Sequence, residues 1–291
     1  MGTAFGGDDA SGRDPNLWFQ RPCGDGQPQR AVAFVRRSPS TMAKLEVRKV
    51  TKRFGAVLAL DDISFSVDDR EFFVVVGPNG SGKTTLLRVI AGLARPDAGE
   101  VRIGDVNVNE LPPAQRGVRM VFQGYALFPH LRVYDERRWA NLNFPLKIRK
   151  FLKEEMLKVI ATVTRRVGIE SDLFPRKPDQ LSAGQKQKVA VGRALLIPPK
   201  IFVLDEPLSN LDPLSRAHVR DELKRIHREI GATTLYVTHN LPEAMAMGDR
   251  LAVLNRGTIQ QIGPPREVYK NPHNDFVRLF LHSYEFPVRP W

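Results

Sequence analysis

The chain changes hydrophobic period several times, and each change marks an element. After Met42-Ala43-Lys44, the apolar positions Leu45, Val47 and Val50 alternate with polar ones and predict a first strand. Residues 63–67, 72–76, 201–204 and 235–237 are short strand-like runs that alternate with helical patterns. That order predicts an α/β domain with a largely parallel sheet. Roughly between 124 and 199 the signals are mostly helical: Met156, Val159, Ile160, Val163 and Val167 share one face, and Gly168 is placed to end that helix. A second stripe, Val219, Leu223, Ile226 and Ile230, closes at Gly231, with Asp221 and Arg225 spaced for an i,i+4 ion pair. Residues 251–254 and 258–262 flank Asn255-Arg256-Gly257 and predict a hairpin.

Composition narrows the class. The 291 residues are 42% hydrophobic and 26% charged, which suits a soluble globular chain with a sizeable core. No apolar run approaches the ~20 residues of a membrane-spanning helix. Residues 1–41 are punctuated by Gly and Pro, lack any sustained period and contain no apolar core of a signal peptide, so they are predicted to be a disordered extension. Met42 is then a candidate start, 42–282 the folded domain and 283–291 a short tail. The single cysteine, Cys23, excludes an intramolecular disulfide. A net charge of +12 suits nucleic acid, an anionic surface or a nucleotide, but the Lys and Arg are scattered and read chiefly as solvated surface.

One stretch carries chemistry on its own. Gly77-Pro78-Asn79-Gly80-Ser81-Gly82-Lys83-Thr84 follows the apolar run 72–76 and opens a helical pattern at Thr84-Thr85, so it matches G-x-x-x-x-G-K-S/T in its strand–loop–helix setting. Such a loop turns backbone N–H groups inward around phosphates at a helix N-terminus. Lys83 would reach the β- and γ-phosphates, and Thr84 would hold Mg²⁺. A phosphate loop also needs a carboxylate for the metal and a group for the attacking water; Asp205 and Glu206, after four apolar residues, supply both. Ser182 and Gln185 form an S-x-x-Q capping box, which by itself marks only a capped helix whose N-terminus is open to an anion. Asp212 before Pro213 reads as a helix N-cap.

Together these residues resemble the ATP-binding subunit of ABC transporters over roughly 43–282. The resemblance implies a phosphate-loop NTPase core of α/β class with an antiparallel β subdomain and a helical insertion, using ATP and Mg²⁺. It implies that Phe54 stacks on adenine, that the loop from Gly77 to Thr84 and Thr85 beyond it hold the phosphates, and that Gln123 senses metal and γ-phosphate. Residues 181–185, through Ser182, Gly184 and Gln185, would bind ATP held by an opposite subunit. Asp212 would lie in a loop crossing the dimer interface, and His239 would contact the γ-phosphate. The implied partners are a second copy or a paired ABC ATPase, integral membrane permease subunits and an extracytoplasmic solute-binding protein, with no direct nucleic acid; the implied place is peripheral, on the cytoplasmic face of the membrane. The runs 121–130 and 259–269 resemble the importer branch serving sugars, glycerol phosphate, polyamines, sulfate or ferric iron, with carbohydrate favoured. Two other readings stay open: a soluble ABC-type ATPase acting on ribosomes or nucleic acid, and a slow-turnover ATP-binding regulatory subunit.

Three features depart from the family pattern. Ala183 stands where the signature usually has Gly, and its methyl is expected to crowd the phosphate approach or strain a positive-φ backbone, slowing hydrolysis. Residues 136–140, Glu-Arg-Arg-Trp-Ala, look inserted, with Trp139 either an anchor for a membrane partner or folded against the helical insertion. Few residues follow 282, so the β-rich regulatory domain of many importer relatives is expected to be missing.

Overall fold

The computed structural model describes residues 43–283; the expectations for 1–41 and for the tail past Ser283 fall outside the described residues. Two sheets organise the chain. The first is antiparallel, in the order β2-β1-β4-β5, and uses β1 (Leu45–Phe54), β2 (Val57–Val67), β4 (Ala98–Ile103) and β5 (Val106–Asn107). The second runs β10-β9-β3-β8-β7-β6, from β3 (Phe72–Val76), β6 (Val118–Val121), β7 (Ile201–Asp205), β8 (Thr233–Thr238), β9 (Arg250–Asn255) and β10 (Thr258–Gly263). All its neighbours pair in parallel except β10, which returns from β9 as the predicted hairpin.

The central strands are unbroken apolar runs because both faces are covered. Every residue of β3, β7 and β8 is buried. In β3, Phe72, Val74 and Val76 face a core shared with the helical insertion, while Phe73 and Val75 face one shared with α1 (Lys83–Ala91) and the antiparallel sheet. The insertion comprises α2 (Phe144–Ile148), α3 (Lys153–Val167) and α4 (Ala183–Leu195). The C-terminal part adds α5 (Pro213–Ile230), α6 (Leu241–Met247), α7 (Pro265–Lys270) and α8 (Asp275–His282). Gly168 and Gly231 end α3 and α5 in left-handed caps, as their positions predict.

Several expectations need correction. The run 63–67 belongs to the antiparallel sheet, not to the parallel one. Strands β4, β5 and β6 gave no usable period; in β6 the central Arg119 and Met120 are only half-buried, and the arginine breaks the apolar run. Val47 and Val50 are three apart, yet both bury, because a register shift opposite Phe65 and Ile63, with Lys49 at φ 48°, inserts a bulge. The pair Asp221–Arg225 does not form. Arg225 is drawn to Glu229 and Glu222 and to the carbonyl of Arg166, while Asp221 meets Arg220 at 3.1 Å. Trp139 folds against the helical insertion: it packs on Phe144 at 5.3 Å with Lys147 Nζ 5.5 Å from its ring, while 49% of it stays exposed.

Candidate functional site

The carboxyl ends of β3, β6, β7 and β8 converge, and the segments that follow them carry most of the expected site. An open cleft of roughly 640 Å³ lies there, lined by Asn79, Gly80, Gly82, Lys83, Thr84, Thr85, Gln123 and Glu206. Its size is within the range of small-molecule sites.

The loop after β3 is shaped by its glycines. A Cβ on Gly77 would come within 2.1 Å of the Leu254 carbonyl oxygen, so no larger residue fits. Gly82, at φ 106°, caps α1 and would bring a Cβ to 2.6 Å from Ala59 O. Lys83, buried on the first turn, donates to the carbonyls of Gly77 and Pro78 at 2.9 Å each, which folds the loop around its own ammonium. Burial pushes the Lys83 amine below its ordinary pKa, against the pull of Glu206 and Asp205. Ser81 Oγ is buried with no hydrogen-bond partner, and Thr84 is exposed at the mouth.

Three polar groups gather on one carboxylate. Glu206 accepts from Gln123 Nε2 at 3.4 Å, its Oε2 lies 2.9 Å from His239 Nδ1, and its Oε1 is 3.9 Å from Lys83 Nζ. Glu206 has a left-handed backbone, φ 45°, and its N–H donates to Val237 O at 2.9 Å, which turns the side chain from the strand end towards the cleft. Asp205, 5% exposed, ends β7 beneath it. Burial, and then the charge of Glu206, pushes the Asp205 carboxyl up to about 6. Its Oδ1 has no hydrogen-bond partner. An orphaned buried carboxylate oxygen fits a hard divalent cation of the Mg²⁺ class, which would offset that desolvation.

Phe54, Ser182, Gly184, Gln185 and Asp212 do not line the cleft. Phe54 is 49% exposed at the end of the β1–β2 hairpin, with Lys52 Nζ 5.3 Å from its ring centre, so it is not a core aromatic. The capping box is present as predicted: Gln185 N donates to Ser182 Oγ at 3.2 Å and Ser182 N to Gln185 Oε1 at 2.9 Å. Asp212 caps α5 through Ser215 N at 3.1 Å. A Cβ on Gly184 would meet nothing within 4 Å, so packing inside this chain does not demand glycine there. Ala183 opens α4 without a positive φ; the expected backbone strain is absent because helix geometry suits alanine.

The sequence reading missed one wall of the cleft. Val57, Leu58 and Ala59 of β2 and Arg256-Gly257 of the β9–β10 turn complete it. Gly257 N donates to Ser81 O at 2.9 Å and Asp61 N to Gly257 O at 2.8 Å, tying turn, strand and phosphate loop together. The Arg256-Gly257 pair was legible as a turn, but nothing local in the sequence links it to residues some 175 positions earlier.

Known proteins resemble the chain over most of its length. The ABC transporter family model matches residues 60–209. The chain is 48% identical over 248 residues to the trehalose/maltose import ATP-binding protein MalK of Thermococcus litoralis, covering 83% of this chain and 65% of that protein. It is 49% identical over 245 residues to the sn-glycerol-3-phosphate import ATP-binding protein UgpC of Cupriavidus necator, with coverage of 83% and 65%. The chain thus spans about two thirds of the length of these relatives. Among solved structures, the dimeric ATP-binding cassette MJ0796 bound to ADP and Pi superposes with a TM-score of 0.66 at 31% identity, covering 76% of this chain and 99% of that one. The cassette cbiO1 of Clostridium perfringens, part of the cbiONQ transporter complex, superposes with a TM-score of 0.71 at 26% identity, covering 80% and 92%.

Proposed function

The chain belongs to the ABC transporter family, and from that premise we propose that it is the ATP-hydrolysing subunit of an importer, powering uptake of a small solute through membrane permease partners. The observation that carries the ATPase reading is the cluster of Gln123, His239 and Lys83 around Glu206 at the mouth of the phosphate loop. Carbohydrate or glycerol phosphate is the proposed cargo, since the similar proteins named above import those. An extracytoplasmic solute-binding protein would deliver it. The ATPase would sit at the cytoplasmic face of the membrane as a peripheral subunit; among the described residues no helix is long and apolar enough to cross a membrane.

In this reading Gly77–Thr85 cradles the phosphates, with Lys83 leaving the Gly77 and Pro78 carbonyls for the β- and γ-phosphate oxygens. Thr84, Asp205 and Gln123 would hold Mg²⁺, which when bound offsets developing phosphate charge. Glu206 accepts the proton of the attacking water, and His239 and Gln123 orient Glu206 and steady the transferred group. Phe54 is free to stack on adenine. Ser182, Gly184, Gln185 and Asp212 stand outside this chain's cleft, which supports a head-to-tail dimer in which they complete the site of the other copy.

Replacing Glu206 with Gln keeps the shape of the site and removes the base. The Glu206→Gln protein is expected to accumulate as an ATP-bound dimer in size-exclusion chromatography, with turnover down by about a hundredfold or more. Only monomers with ATP, under conditions where the parent dimerises, would overturn the reading. Copurification with ribosomes rather than with permease subunits would favour the soluble alternative.

A further inference from the structure

We propose that Glu243 is a positioning residue for the reaction, its buried carboxylate fixing the loop that carries His239 and joining that loop to the segment ending at Asp212. The proposal deepens the function proposed above and rests on it for the role of His239. Glu243 sits on α6, only 6% exposed. Its Oε2 accepts from the Tyr236 hydroxyl and from Thr238 Oγ1, at 2.9 Å each. Thr238 Oγ1 in turn accepts from Asn240 N at 2.9 Å, and Asn240 Oδ1 accepts from Glu243 N at 3.0 Å. The residues on either side of His239 are therefore both clamped, directly or at one remove, by the same glutamate. His239 between them projects its ring to Glu206.

The other oxygen of Glu243 points elsewhere. Oε1 lies 3.8 Å from Arg216 Nε, within ion-pair range but beyond a hydrogen bond, and that Nε is buried with no hydrogen-bond partner. Arg216 donates from its guanidinium to Leu211 O at 3.0 Å and from its backbone to Asp212 O at 2.8 Å. One carboxylate thus spans the strand end bearing His239 and the loop preceding α5.

Stability alone does not call for this arrangement. A buried carboxyl group is costly to desolvate, and well-packed apolar replacements of such groups are often neutral or better. What the carboxylate supplies is geometry: two short bonds to hydroxyls that cannot be made with the loop displaced. Misplacing a reacting group by about 1 Å costs up to a hundredfold in rate.

The test uses the full chain with histidine-selective isotope labelling. The His239 ring resonance is assigned by its loss in His239→Ala, and nucleotide affinity and turnover are measured alongside. Glu243→Gln is expected to move the His239 resonance, to lower kcat about tenfold and to leave the ATP dissociation constant within about twofold. Thr238→Val, which removes both bonds of the Thr238 hydroxyl and leaves Tyr236 on Glu243, is expected to do the same in part, and it serves if Glu243→Gln does not fold. An unmoved His239 resonance in both variants, or a fall in activity matched by lost nucleotide affinity, would overturn the proposal. The resonance is read without turnover, so a parent protein that fails to hydrolyse ATP would count against the proposed function while the ring shift still decides this inference.

Discussion

At the scale of single residues, sequence motif and local geometry agree wherever the motif is a backbone requirement. Gly77 is fixed by contact: a methyl at that position would meet the Leu254 carbonyl at 2.1 Å. Gly77→Ala is therefore expected to destabilise the fold by on the order of 1–3 kcal/mol, read as a lower denaturation midpoint. Gly184 is the opposite case, with open space where its Cβ would be, so its value lies in what approaches from outside the chain. Ala183 departs from the family signature without positive-φ strain, which leaves steric crowding of the incoming phosphate as the reason to expect slow hydrolysis. Ala183→Gly is expected to raise Mg-ATP turnover severalfold in the assembled transporter, with no change in dimerisation; equal rates for the two proteins would remove that reason.

At the scale of elements, the clearest surprise is how α5 packs. Its His227 bonds Thr234 Oγ1 through Nδ1 at 2.8 Å and meets the Phe72 ring edge-on at 5.0 Å, so burial lowers its pKa below the ordinary histidine value. The unfolded chain then binds a proton near pH 6.5 that the folded chain takes up only at lower pH. Stability is unaffected above that value and falls as pH drops from about 6.5 towards the folded-state pKa. His227→Gln is expected to flatten this acid limb of the thermal midpoint between about pH 7 and 5, whatever its effect at neutral pH. The same helix shows why charge spacing misled: Asp221 and Arg225 were spaced correctly, but Glu229 and Glu222 also lie within one turn of Arg225, and Arg166 O, 59 residues away, fixes its rotamer. Strands were legible where both faces are buried, as in β3 and β7, and illegible at the sheet edge in β6, where half-buried Arg119 and Met120 hide the pattern.

At the scale of the whole molecule, the candidate residues fall in two separate places. The phosphate loop, Gln123 and Glu206 line one cleft, with His239 joined to it through Glu206, while the capping box and Asp212 remain outside it. A head-to-tail dimer predicts complementation. Lys83→Ala disables one chain's phosphate loop and Gly184→Glu the other's signature, and each alone is expected to be inactive. Mixed in equal amounts, they form heterodimers with one intact site each and should recover roughly a quarter of parent activity if the sites act independently. No recovery on mixing would mean that the residues act within one chain.

Local chemistry in the sequence determined the phosphate loop, the carboxylate pair after a buried strand, the helix caps and the α/β class, because each is a short-range demand of backbone geometry or burial that neighbouring residues must satisfy. Tertiary structure alone decided the rest. It brought Gln123, Glu206 and His239 within hydrogen-bonding reach across three parallel strands, closed the cleft with Arg256-Gly257, and placed Glu243 beneath the histidine loop. Those contacts join residues far apart in the chain, and strand order, which no local pattern encodes, is what makes them neighbours.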